Sequence, residues 1–127
     1  EETTKFYITE LRGDISLEME INNLESNKGP IYIRILDENE NPVIVGTSPV
    51  INYSAEISFD SIFPGKYAIQ FFHDENENQK MDFSLIWIPK EKFGSSNNVK
   101  PILGPPKFEK MLFNLTENKK VIMVPVN

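Results

Sequence analysis

At 127 residues without a cysteine, the chain has the length of one ordinary domain, and disulfides, thiolate zinc sites and cysteine nucleophiles are excluded. A formal charge of -6 argues against nucleic acid as a partner, since phosphates demand a basic face, and against simple adhesion to anionic lipid. The charge is uneven: residues 1–82 carry 16 acids and 6 bases (net -10), whereas residues 90–120 carry 3 acids and 7 bases (net +4).

In chain order, the opening at Glu1 rather than a methionine is what a removed signal peptide or an artificial chain boundary leaves. Residues 1–13 read as a tail or linker, with Phe6 and Ile8 able to add an edge strand, and 14–127 read as one domain. Ile15, Leu17, Met19 and Ile21 alternate with Ser16, Glu18 and Glu20, the period of a half-buried strand. The turn-rich link "NNLESNKGP" follows, then Ile31, Ile33 and Ile35, a first acidic segment "DENENP", and the apolar run Val43 to Val45. Ala55, Ile57 and Phe59 lead to Pro64-Gly65, a tight turn, and Tyr67, Ile69 and Phe71 continue into a second acidic segment, "HDENENQKMD". A stretch rich in Pro, Gly, Ser and Asn comes next, and two closing strands are read at about 108–115 and 120–126. The expected fold is all-β: an antiparallel two-sheet sandwich of about seven strands, transthyretin-like or immunoglobulin-like, with a long irregular connection at 74–106. No segment approaches the roughly 20 apolar residues of a membrane helix.

The pentapeptide Asp-Glu-Asn-Glu-Asn occurs at 37–41 and again at 74–78. A calcium loop draws oxygens from alternate residues, with side chains at positions 1, 3 and 5, a carbonyl at 7 and a further oxygen at 9. In the second copy these are Asp74, Asn76, Asn78, Lys80 (carbonyl only) and Asp82, and Glu91 is the nearest downstream carboxylate able to complete the set. In the first copy, Asp37, Asn39 and Asn41 are followed at position 9 by Val45, so that copy reads as a plain turn. The second copy lacks the glycine at position 6 (Gln79) and the bidentate Glu at position 12 (Leu85), so any affinity is modest, about 10⁻⁴ to 10⁻³ M. A solvated loop after a strand is the plain alternative.

Residues 64–113 resemble the bacterial family called domain of unknown function 2141. The resemblance is carried by Pro64-Gly65-Lys66-Tyr67-Ala68, the run from His73 through Asp82, Pro89-Lys90-Glu91, Ser96-Asn97-Asn98 and Gly104-Pro105-Pro106-Lys107-Phe108. The link "SNKGPIYI" is similar to the family's turn before its second strand. The resemblance implies an exported or envelope-associated β-sandwich and no established activity. The chain departs from the family pattern at Glu77 and Gln79, where glycines are usual, at Trp87, where glycine is usual, and at Ser95, where an aromatic is usual.

His73 is the one histidine. As a general base or zinc ligand it lacks companions, so the favoured reading packs its ring at a strand end, bonded to a loop carbonyl and orienting Asp74. Ser95, Ser96, Asn97 and Asn98 read as residues that satisfy irregular backbone rather than as a nucleophile loop. Trp87, Phe83 and Phe93 around Pro89 offer an aromatic platform for a glycan or small ligand, or else tuck the connection onto the core. The expectation is a non-catalytic module, secreted, periplasmic or at the outer surface, with a structural calcium in its loop and an unknown protein or glycan partner. The rivals are a metal-dependent hydrolase using His73, Asp74 and Glu91, and a metal-free binding module.

Overall fold

The computed structural model describes residues 5–8, 13–77 and 91–127. Among the described residues nine strands form: β1 (Lys5–Ile8), β2 (Ile15–Ile21), β3 (Ile31–Asp37), β4 (Pro42–Ser48), β5 (Ala55–Ile62), β6 (Gly65–His73), β7 (Phe93–Ser95), β8 (Phe113–Leu115) and β9 (Lys119–Met123). The larger sheet runs β1-β4-β3-β6-β7, and β8 pairs with the start of β6; the smaller runs β5-β2-β9. Lys5–Ile8 thus takes the edge-strand option that Phe6 and Ile8 offered.

The two sheets close on each other through the residues that alternate. Ile15, Leu17, Met19 and Ile21 of β2 are buried, as are Ile31, Ile33 and Ile35 of β3 and Tyr67, Ile69 and Phe71 of β6. Each strand presents every second side chain to one face, so these rows meet between the sheets, and most of their neighbours are more exposed, Leu36 and Ala68 excepted. Leu115 of β8 and Met123 of β9, both fully buried, complete this core. Removing such a side chain costs about 2–5 kcal/mol through lost transfer energy and the cavity left behind.

The two-sheet sandwich is the architecture expected, with two departures. One pairing is parallel: β9 runs alongside β2, Leu17 facing Lys119 and Ile21 facing Met123. The chain leaves β8 on the larger sheet, turns through Thr116 to Asn118 and enters the smaller sheet, where Asn118 Oδ1 accepts the Ser16 N–H at 2.9 Å. Second, the stretch expected to be irregular contains a strand, because Phe93–Ser95 pairs with Phe72, Phe71 and Gln70 of β6. The closing segment 108–115 is likewise a 3-10 turn, Phe108–Lys110, followed by the short β8.

Candidate functional site

β6 carries the chain to one end of the larger sheet, and the second acidic segment starts where it stops. His73 ends the strand opposite Ile31, its N–H donating to the Lys92 carbonyl at 2.8 Å; Asp74 N–H then donates to the Pro30 carbonyl at 2.9 Å. The backbone is therefore held on both sides at the point where the loop departs. The β6–β7 register pairs Phe72 with Phe93. Asp74 and Glu91 stand near the two ends of the connection between β6 and β7.

Both carboxylates are withdrawn from water: Asp74 is 0% exposed and Glu91 5%. Asn76 is exposed. Asn78, Lys80 and Asp82 lie outside the described residues, as do Phe83 and Trp87. Among the described residues, no group of three or more His, Cys, Asp or Glu side chains is placed to hold a metal ion.

The two copies of the pentapeptide share a turn and differ in what the aspartate does. The Glu40 N–H donates to the Asp37 carbonyl at 3.0 Å, and the Glu77 N–H to the Asp74 carbonyl at 3.1 Å. Glu40 and Glu77 both sit at positive φ, 65° and 56°. In the first copy Asp37 Oδ1 also accepts the N–H groups of Asn39 (2.9 Å) and Asn41 (3.0 Å), so its carboxylate caps the β3–β4 turn, as the sequence suggested. Asp37 is half-buried; Asp74 is sealed.

His73 is fully buried and on the core side with Ile69 and Phe71. Its Nε2–H donates to the Lys28 carbonyl at 2.6 Å, the loop-carbonyl bond expected for it. Nδ1 is buried with no hydrogen-bond partner among the described residues. The expected orienting contact to Asp74 is not formed, since adjacent residues of a strand point to opposite faces. The imidazole is sealed from solvent, and among the described residues His73, Asp74 and Glu91 do not form a group placed to hold a metal ion.

The "SNKGP" link contributes more than its reading as a simple turn implied. Gly29 lies at φ +73°, and a Cβ there would stand 2.0 Å from the Asp74 carbonyl oxygen, so only glycine lets the link approach the loop. Ser26 Oγ donates to the Glu75 carboxylate, and Lys92 pairs with Glu25 at 2.8 Å. The Asn-Lys-Gly turn signal was visible; its partner across the sheet end was not. At the other side of the loop, Asn127 Nδ2 donates to the Glu91 carbonyl and its Oδ1 accepts the Phe93 N–H.

Past β7, Ser96 Oγ accepts the Ile69 N–H at 3.0 Å and donates to the Met111 carbonyl at 2.6 Å. Asn97 Nδ2 donates to the Lys110 and Leu112 carbonyls, and Asn98 Oδ1 accepts the Val124 N–H. These are the backbone-satisfying roles read from the sequence. Phe93 is buried in β7 rather than presented to a ligand. A shallow groove lies instead on the face of the larger sheet, where Tyr32 and Phe72 stack with ring centroids 5.2 Å apart beside an Arg34 Nε–H to Gln70 Oε1 bond of 2.8 Å.

Fold and site together define a small two-sheet β-sandwich with one acidic, internally braced loop at a sheet end. The chain belongs to the family described as uncharacterized protein conserved in bacteria, domain of unknown function 2141, whose pattern matches residues 19–123. No curated protein and no solved structure gives a match. Among the described residues no helix is long and apolar enough to cross a membrane.

Proposed function

We propose that the chain is an exported, non-catalytic module of the bacterial cell envelope whose β6–β7 connection is organised by a structural divalent cation, calcium by the hardness of its oxygen donors. The observation that carries this reading is the burial of Asp74 and Glu91 near the two ends of that connection. Burial makes a charged carboxylate costly, and a cation bound by both groups would favour their charged forms. Calcium takes 6–8 oxygens at 2.3–2.6 Å, so further donors are needed. The spacing of Asn78, the Lys80 carbonyl and Asp82 supplies them, with Asn76 turning in from its exposed position. The ion would hold the connection against the sheet and present its later part to a protein or glycan partner. An affinity of about 10⁻⁴ to 10⁻³ M fits filling outside the cytosol and emptiness within it.

Calorimetric titration of chelator-treated protein with calcium tests this. Heat release and a raised melting temperature in the wild type, both absent in Asp74→Asn, are expected; no heat in the wild type overturns the reading. A metal-free glycan-binding module is the second reading, favoured by the stacked Tyr32 and Phe72 beside Arg34. It predicts glycan binding unchanged by chelator and lost in Phe72→Ala.

A further inference from the structure

Residues 100–107, Lys-Pro-Ile-Leu-Gly-Pro-Pro-Lys, form a loop whose tip is apolar and uncovered. Ile102 is 75% exposed and Leu103 fully so. Leu103 also holds φ +57°, and the following Gly104 φ +132°. A γ-branched residue in the left-handed region is disfavoured, because its Cβ crowds the backbone, and such an outlier points toward function. A Cβ added at Gly104 would meet nothing within 4 Å, so the tip projects clear of the sandwich. Pro101, Pro105 and Pro106 bracket it and restrict its backbone, which lowers the ordering cost of any contact the tip makes.

The surroundings are basic. Residues 100–110 hold Lys100, Lys107 and Lys110 against Glu109 (3 - 1 = +2), inside a chain whose total is -6. Charges farther than about 10 Å are largely screened at 0.1 M salt, so an approaching surface feels the local lysines more than the distant acids. An exposed apolar tip flanked in sequence by exposed lysines fits a receiver that yields to it and is negatively charged. A lipid interface with anionic headgroups has both properties, whereas a flat protein face would leave the tip's flanks wet.

We propose that this loop is a membrane-interface anchor. Ile102 and Leu103 enter the boundary between headgroups and acyl chains, while Lys100, Lys107 and Lys110 lie along the anionic headgroups. The anchor is weak and reversible, since two apolar side chains and three lysines give far less than a spanning segment. It stands apart from the cation site.

The test is co-sedimentation of the full chain with vesicles of mixed phosphatidylglycerol and phosphatidylcholine, and with vesicles of phosphatidylcholine alone. The wild type is expected to pellet with the anionic vesicles, less so at high salt. Leu103→Ser lowers binding about tenfold or more, the worth of one buried leucine side chain. Lys107→Gln lowers it about fivefold. Ile122→Ser, at a surface isoleucine of β9 that is 55% exposed, leaves binding unchanged. Leu103→Gly removes the anchor and relieves the backbone, so binding falls while the melting temperature holds or rises. Wild type that fails to pellet with anionic vesicles, or an Ile102→Ser/Leu103→Ser double variant that binds as the wild type does, overturns the proposal. So does a wild-type dimer abolished by that double variant without any vesicle binding, since the tip would then be a contact between copies.

Discussion

Asp37 and Asp74 begin the same five residues, and in each the carbonyl accepts the N–H of the glutamate three positions on. The side chains then part: Asp37 spends its oxygen on the N–H groups of its own turn, and Asp74 is drawn under the sheet end. Glu40 and Glu77 hold the left-handed conformation in these turns, which costs roughly 1–2 kcal/mol for a residue with a Cβ. Glycine avoids that cost and returns part of it as unfolded-state entropy. Glu40→Gly and Glu77→Gly are therefore each expected to stabilise by about 0.5–1 kcal/mol in urea unfolding, the balance of those two terms. A loss in either variant would mean that the glutamate side chain contributes more than its backbone costs. Gly29 is the opposite case. Gly29→Ala drives a methyl group into the Asp74 carbonyl from a left-handed backbone, and a loss of about 2–4 kcal/mol is expected.

Strands whose apolar residues fall on one face were legible because burial and periodicity coincide. β2 spans Ile15–Ile21, the limits that its alternation marks, and β6 buries Tyr67, Ile69 and Phe71 as read. β7 was not legible, since Phe93, Gly94 and Ser95 are all buried and three residues show no alternation. The parallel pairing of β9 was not legible either, because alternation gives a strand its faces but not its neighbour's direction. The acidic spacing at 74–82 was visible in the sequence, whereas the burial of Asp74 and Glu91 comes from packing at the sheet end, beside the strand β7 that was missed. Ser96 links these elements, joining the β6 backbone to Met111 with one hydroxyl. Ser96→Ala strands a buried N–H and a buried carbonyl together, so a loss of about 2–3 kcal/mol is expected, measured as a shift in urea midpoint at unchanged slope. Ser96→Ala with wild-type stability would show that water replaces the hydroxyl.

The whole molecule is a sandwich whose charged groups should show in its pH profile. Burial, and then the nearby Asp37 charge, raise the Tyr67 phenol above its ordinary value of 10.0. A raised phenol is stabilising below pH 10, and its contribution is lost as pH climbs through the folded value. Lys120, hydrogen-bonded to Glu20, is raised as well and acts in the same direction. Glu20 is lowered by hydrogen bonds from Asn22 and then Lys120, so its contribution is present above pH 4.5 and lost as pH falls through the folded value. Thermal melts across pH should thus decline on both sides of neutrality, and Tyr67→Phe should flatten the alkaline limb.

At the same scale, the β6–β7 connection carries two buried carboxylates, Asp74 and Glu91. The most direct measurement is a crystal structure of the protein grown in millimolar calcium, with anomalous scattering used to find the ion. The account predicts a peak between Asp74 and Glu91 with oxygens of the 76–82 segment around it. Asp74 and Glu91 ordered with no peak between them, or turned apart into solvent, would contradict it.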